Sequence, residues 1–436
     1  MIALARLAAF DALREIETTR LDLGEAMVRA RTPLADERDR ALLLEVVSGT
    51  LRMRKTIDYQ LARRVSRALT RLDDSVLTVL RMSGFQLMWL SRIPPSAVIN
   101  DAVELTRRAG KSSAAGLVNA VLRALARDRE HLEWPPRPSA DAPANAFVDY
   151  LSTVYSHPEW LVSRWHNRHG AEATEQWLAF NNEAPALCLA PNRLLASREA
   201  LAEELAADGV PTEPTARAPY GLHVRGGQAM ATRAVREGRC VVQDEASQLI
   251  AALVDPARGA RVLDLCASPG GKTVALAADV GTQGTVVACD VRPHRVRVLS
   301  TTLERCRVAR AVVVHVPTDG GLPFLDESFD AVLVDAPCSG LGTVRRDPDI
   351  RWRRSPGDLP RFAAAQRELL ARAAPLVRAN GSLVYSTCSS EPDENQEVVA
   401  AFLEAHPNFV EHRVHQTLPF RDGLEAFYGS VLRRRL

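Results

Sequence analysis

Cys338 and Cys388 each follow an apolar run of strand character, in the short polar motifs Asp335-Ala-Pro-Cys-Ser-Gly340 and Tyr385-Ser-Thr-Cys-Ser389. Thiolates are strong nucleophiles, so two cysteines in loops of small residues suit covalent catalysis. The plainer reading is a pair of buried structural cysteines. A third motif, Val262-Leu-Asp-Leu-Cys-Ala-Ser-Pro-Gly-Gly-Lys-Thr273, runs from a buried strand through a glycine turn into a helix. Glycines let a backbone approach a ligand closely, and a helix N-terminus offers free N–H groups. The dinucleotide fingerprint G-x-G-x-x-G is absent, and Cys266 stands where a phosphate-cradling loop needs its first glycine. A non-phosphorylated adenosyl ligand fits that turn better. Asp290 ends the next strand, about 20 residues further on, where a carboxylate accepts hydrogen bonds from both ribose hydroxyls. Asp319 follows the third strand and Asp335 the fourth. Taken singly, each aspartate also suits a turn.

A methyltransferase taking its methyl group from a sulfonium would have a use for two such thiols. Carbon 5 of cytosine is a poor nucleophile. A thiolate adding to carbon 6 turns the ring into an enamine, whose carbon 5 attacks the methyl group. Ring nitrogen 3 then needs a proton or a hydrogen bond, a role for Asp335. Afterwards the hydrogen on carbon 5 must leave and the thiol must be expelled, where a second thiol helps as acid and base.

These groups need a scaffold that brings strand ends together. From about residue 240 strand and helix patterns alternate, the mark of a parallel sheet. Strands are expected at 261–267, 284–290, 311–316, 331–335 and 382–387, with helices at 273–278, 295–305 and 362–377. In a doubly wound sheet the fourth and fifth strands are neighbours, about 4.8 Å apart, so Cys338 and Cys388 converge at the mouth of the cofactor crevice. Upstream, apolar residues recur at helical spacing in 4–13, 41–51, 76–90 and 114–125. Ile93-Pro-Pro95 interrupts two of these helices. The proline- and alanine-rich stretch 134–143 reads as a semi-rigid linker. Residues 158–169 and 199–207 look helical and 187–194 strand-like, a small α+β subdomain. The fold class is thus multidomain: an all-α domain over 1–135, a linker over 136–155, an α+β subdomain over 156–238, and an α/β Rossmann-like domain with a mostly parallel, doubly wound sheet over 239–436.

Composition narrows the class. With 46% hydrophobic and 25% charged residues the chain reads as soluble and globular, and no apolar run reaches a membrane span. The start continues into an amphipathic helix without a signal-peptide cleavage site, so a cytoplasmic location is expected. Seven cysteines with no C-x-x-C pair argue against zinc and against a disulfide framework, and no metal is expected. Of the 55 basic residues only Lys55, Lys111 and Lys272 are lysine. A lysine kept in such an arginine-rich chain marks a place for a compact ammonium, and Lys272 lies inside the glycine motif.

The motifs around Asp264–Thr273, Asp335–Gly340 and Ser386–Ser389 resemble the signature set of the RNA cytosine-C5 methyltransferases. The resemblance implies S-adenosyl-L-methionine as cofactor, Cys388 as nucleophile and Cys338 as the residue assisting product release. It implies cofactor contacts from Cys266, Ala267, Ser268, Pro269, Gly270, Gly271, Lys272, Asp290, Asp319 and Asp335, with Asp335 also near the base. DNA cytosine methyltransferases attack instead with the cysteine of their Pro-Cys motif, so the presence of both motifs favours RNA. The helical N-terminus, with Ile93-Pro-Pro95 and Gly116-Leu-Val-Asn-Ala-Val-Leu122, resembles the NusB-like RNA-binding domain. That fusion is similar to the bacterial 16S ribosomal RNA branch of the family, the RsmB type, and Gly342–Trp352 resembles it too. The chain departs from the pattern at Ser268, where alanine is common, and in the ending Asp422-Gly-Leu-Glu-Ala-Phe-Tyr428.

RNA, most of all 16S ribosomal RNA, is therefore the expected partner of a monomeric enzyme. The basic run Val344-Arg-Arg-Asp-Pro-Asp-Ile-Arg-Trp-Arg-Arg354 suits phosphate contacts or an ordinary solvated face, with Trp352 stacking on a base or packing inside. A cytosine acted on chemically must leave its stack. Two other functions fit parts of the sequence: methylation of tRNA or another RNA by the same module, and a non-catalytic RNA-binding or antitermination factor that would leave the two cysteines unused.

Overall fold

The computed structural model describes residues 2–19, 21–139 and 141–436. Met1, at the head of the first expected helix, and Ala140, inside the expected linker, lie outside the described residues. The chain forms two compact units, one of residues 1–183 with 344–355, the other of 184–343 with 356–436.

The first unit is helical. Helices Leu4–Thr19, Leu23–Arg31, Glu37–Arg52, Arg54–Ala62, Asp74–Trp89, Pro95–Arg108 and Ala115–Asp128 surround one apolar core. Asp22, Asp36 and Asp73 cap three of them, each accepting a backbone N–H of the first turn. Pro95 starts its helix at the first turn, where a missing N–H costs nothing. The linker expected over 136–155 ends earlier, at the close of the proline-rich stretch. Residues 144–154 form a helix because Val148 and Leu151 fall on one face and are buried. The next helix, Glu159–Asn182, breaks at Gly170, whose φ of 78° is open to glycine. Trp165 and Trp177 stack across that break with ring centroids 4.2 Å apart.

The basic run after Thr343 belongs to this unit, and its central residue is no surface arginine. Arg351 is fully buried. Its guanidinium donates to the carbonyls of Ser156 at 3.1 Å, Asn181 at 3.2 Å and Val344 at 3.3 Å, and to Asn182 Oδ1 at 3.0 Å. Trp352 Nε1 donates to the Leu51 carbonyl at 2.6 Å, and Arg345 lies 4.2 Å from the Phe180 ring centre. The planar fork of arginine suits a site where helix-end carbonyls converge from several directions. Both sequence readings of Arg351, phosphate contact and solvated face, give way to a structural one.

The second unit holds two sheets. Strands β1 (Cys188–Pro191), β2 (Thr212–Pro214), β3 (Leu222–Val224) and β4 (Cys240–Val242) form a small antiparallel sheet in the order β2-β3-β1-β4. The helix Arg198–Ala207 accompanies it. The larger sheet comprises β5 (Arg261–Asp264), β6 (Thr285–Asp290), β7 (Ala311–His315), β8 (Phe329–Asp335), β9 (Val377–Thr387), β10 (Phe409–Thr417) and β11 (Phe427–Arg434). Its order is β10-β11-β9-β8-β5-β6-β7. The pairs from β9 to β7 are parallel; β11 enters antiparallel between β9 and β10. Apolar clusters cover both faces, so β8 reads as an almost continuous buried run. The chain winds outward from β5 to β7, then returns to β8 on the other side of β5. That reversal opens a crevice beyond the carboxyl ends of β5 and β8.

Arg351→Ala would leave several buried carbonyls without a donor and open a cavity. We expect a loss of at least about 3 kcal/mol of stability in the first unit, read as a lowered thermal midpoint by calorimetry. An unchanged midpoint would show that the carbonyls find other donors.

Candidate active site

Parallel pairing sets the two cysteine loops side by side. Asp335, at the end of β8, is in register with Ser386 of β9, and each strand runs on into its cysteine motif. The Sγ atoms of Cys338 and Cys388 lie 3.1 Å apart, and both side chains are partly exposed. The hydrogen bond between the thiols, helped by burial and nearby negative charge, pushes the Cys338 thiol well above its ordinary range. Cys188, Cys240, Cys289 and Cys306 are buried.

A buried charge cluster adjoins the thiols. Lys272 Nζ bonds Asp335 Oδ2 at 2.7 Å, while Ser386 Oγ donates to Asp335 Oδ1 at 2.8 Å. Burial acts to lower the Lys272 pKa, but Asp335 and Asp264 more than reverse it, so the ammonium stays charged. Its Nζ also sits 6.0 Å from the centre of the Phe427 ring. Asp264, at the end of β5, accepts from Thr273 Oγ1 at 2.7 Å. Burial above all lifts its pKa to about 7, and Asp335 and Asp290 add to that rise.

The glycine turn follows directly. Ala267 N–H bonds the Cys289 carbonyl at 2.8 Å, tying the turn to β6, and a cis peptide joins Ser268 to Pro269. Gly270 caps the helix Gly271–Val280 with φ 111°, a conformation that side chains rarely adopt. The Cys266 thiol is raised by burial and the surrounding aspartates, which leaves it inert. Asp290 is 4% exposed, and its Oδ1 accepts the Arg292 N–H at 3.1 Å. Asp319 stands apart: it is exposed after β7, accepts from its neighbour Thr318 at 3.3 Å, and among the described residues bonds to none of the other groups. Asp264 Oδ1 is buried without a protein donor. A buried acceptor lacking a donor is costly, and the hydroxyls and ammonium of an adenosyl amino-acid cofactor are such donors. The crevice therefore fits the cofactor expected from sequence.

Three neighbours of the thiols escaped the sequence reading. Glu394 is fully buried behind both cysteine loops and accepts from Ser339, Ser389 and Gln366. Asn395 accepts from Thr387 Oγ1 at 2.5 Å and donates to the Ser389 carbonyl at 3.0 Å. Gly342 N–H bonds the Cys388 carbonyl at 2.9 Å, and a Cβ there would strike the Ala426 carbonyl and come within 2.8 Å of the Cys388 carbonyl. The only sequence signal for the first two was a polar cluster, Glu391-Pro-Asp-Glu-Asn395, just after the second cysteine.

Gly342→Ala should therefore push the Cys388 loop away from β11. We expect a cost of about 1–3 kcal/mol in thermal stability together with loss of activity, and wild-type values for both would contradict the close approach. Asp264 gives a pH test. It binds its proton more tightly folded than unfolded, so its stabilising contribution is lost as pH rises from 3.8 to about 7. Asp264→Asn should flatten the fall in thermal midpoint across that window; an unchanged slope would assign it to other groups.

Comparison with known proteins bears on the family and the fold. Residues 251–429 match a family model described as 16S rRNA methyltransferase RsmB/F, residues 3–127 match the NusB family, and residues 157–231 match a ferredoxin-like domain of RsmF/B-like methyltransferases. The chain is 36% identical over 409 residues to a probable ribosomal RNA small subunit methyltransferase B of Bacillus subtilis, covering 90% of this chain and 89% of that protein. It is 33% identical to ribosomal RNA small subunit methyltransferase B of Serratia proteamaculans, covering 95% and 96% of the two chains. The solved structure of PH0851 superposes with a TM-score of 0.82 at 25% identity, covering 100% of this chain and 99% of that one. A NusB-like helical domain, a ferredoxin-like subdomain and a mostly parallel methyltransferase sheet, joined in that order, place the chain in the RsmB/F family of methyltransferases.

Proposed function

We propose that this protein methylates carbon 5 of a cytosine in 16S ribosomal RNA through a covalent bond between Cys388 and carbon 6 of the base. The observation that carries the reading is the 3.1 Å approach of two thiols beside a Lys272–Asp335 pair at the strand ends. A methyltransferase acting on a good nucleophile needs neither thiol. Two of them in contact suit an enzyme that forms a carbon–sulfur bond and must then break it. The substrate class rests on relatives named ribosomal RNA small subunit methyltransferase B.

S-adenosyl-L-methionine supplies the methyl group as an electrophilic sulfonium. Its binding falls to the turn Cys266–Lys272 and to Asp290, with Asp335 between cofactor and base. Asp319 is the weakest of these candidates because it stands on an exposed loop away from the charge cluster.

In the first step the Cys388 sulfur adds to carbon 6, and the displaced electron pair moves to ring nitrogen 3. The Lys272–Asp335 pair provides the proton that nitrogen 3 takes up. Carbon 5, now enamine-like, would attack the methyl carbon, whose bond to the sulfonium sulfur breaks with its electron pair left on that sulfur as a neutral thioether. The hydrogen on carbon 5 then passes as a proton to water, the carbon–sulfur bond breaks with its electron pair returning to Cys388, and nitrogen 3 gives its proton back to the Lys272–Asp335 pair. Cys338, protonated and in contact with that sulfur, hands it a proton and so drives release. The base must be flipped or single-stranded to reach these groups.

Cys388→Ala is expected to abolish methyl transfer to 16S ribosomal RNA, whereas Cys338→Ala should leave a protein–RNA adduct that survives a denaturing gel. An adduct with the Cys388 variant and none with the Cys338 variant would reverse the two roles. Bisulfite sequencing of ribosomal RNA from cells with and without the protein would then locate the modified cytosine.

A further inference from the structure

One buried carboxylate joins the two cysteine loops. Glu394 lies in the short turn Pro392–Glu394, ahead of the helix Gln396–Ala405, and is fully buried. Its Oε1 accepts the Ser339 N–H at 2.8 Å and Gln366 Nε2 at 3.0 Å. Its Oε2 accepts the hydroxyls of Ser339 and Ser389, each at 2.5 Å. Ser339 directly follows Cys338, and Ser389 directly follows Cys388. All four donors are neutral, so the negative charge is held by oriented dipoles, as in an anion site, and among the described residues no ion pair neutralises it.

Loops leaving neighbouring strands have no intrinsic reason to keep their next residues in contact. Strand spacing sets them about 4.8 Å apart, and side chains can then diverge. Here the two serine hydroxyls also meet each other at 3.2 Å, and Glu391 N–H bonds Ser389 Oγ at 3.1 Å. The carboxylate is therefore the common acceptor of a network whose outer members are the residues next to each thiol. It touches no reacting atom; besides its charge, which helps to raise the Cys338 thiol, it reaches the chemistry through the position of the sulfurs.

We propose that Glu394 is a positioning residue that clamps the Cys338 and Cys388 loops together, so that the thiol assisting release stays in contact with the nucleophilic sulfur. Its catalytic consequence rests on the cysteine mechanism above, but the clamp itself does not. A glutamine has the same shape with a single acceptor oxygen, and its amide would face donors on one side. The fold can tolerate that exchange, because both serine hydroxyls already act as acceptors elsewhere in the network.

The first test needs no RNA. Diamide takes two electrons and two protons from a pair of adjacent thiols, giving a disulfide and the hydrazine. Wild-type protein should form the Cys338–Cys388 disulfide quickly, as seen by peptide mass spectrometry. Glu394→Gln should form it on the order of ten times more slowly at an unchanged thermal midpoint and unchanged cofactor affinity. Equal rates would overturn the clamp. Ser389→Ala, which removes one of the four donors, should fall between the two and serves if Glu394→Gln does not fold.

The second test reads the reaction. With Cys338 intact, Glu394→Gln should accumulate a gel-stable RNA adduct and lose roughly 10–100-fold in turnover, with KM for RNA unchanged. Loss of turnover without an adduct would mean that the clamp does not serve release. If Cys338→Ala itself gives no adduct, the cysteine mechanism fails, while the diamide rates still decide the clamp.

Discussion

Parallel pairing of β8 with β9 brings the two thiols together, and the rest of the second unit serves that pairing. Strand β8 can lie beside β9 because the chain returns across β5 to reach it, and the same return opens the crevice at the strand ends. Two motifs fifty residues apart thus become one site, with an Sγ–Sγ distance of 3.1 Å. Strand β11 then closes the other edge of β9, in register from Thr387 to Ser382, so the strand leading to Cys388 is buried on both sides.

Electrostatics keep the site selective about charge. Asp264 and Asp335 lie near one ammonium, Lys272, and Asp290, which acts on Asp264, pairs with Arg295 at 3.9 Å, in a region with little water to screen them. A guanidinium would spread over several acceptors, while the compact lysine reaches one carboxylate oxygen and leaves space beside it. Lys55 and Lys111, by contrast, form ion pairs with Glu159 and Asp73 on the first unit. The acidic surroundings suit a positively charged methyl donor, and the buried Glu394 adds a further fixed charge behind the thiols.

Much of this was legible in the sequence. The five parallel strands, the glycine turn and both cysteine loops could be read from largely apolar runs, although β7 has no buried residue. The C-terminal pair was not. Strand β10 is an edge whose run from Val410 to Val414 is exposed, Glu411, His412 and Arg413 among it, so it carries no hydrophobic pattern. The buried role of Arg351 was hidden for a different reason. Its partners are main-chain carbonyls at helix ends, which no side-chain pattern reveals. Glu394 looked like one acid in a polar cluster, and only the tertiary approach of Ser339 and Ser389 distinguishes it. Asp319, read as one of three matched aspartates, follows a strand near the sheet edge and has no part in the charge cluster.

The most direct measurement is to trap the bond itself. Fluorine on carbon 5 cannot leave as a proton, so 16S RNA transcribed with 5-fluorocytidine should stall the enzyme after methyl transfer. Digestion and mass spectrometry would then identify the attached peptide. The account predicts a methylated fluoropyrimidine on the peptide that contains Cys388. Attachment at Cys338, or methylation of ordinary RNA with no trapped species from the fluorinated one, would contradict it.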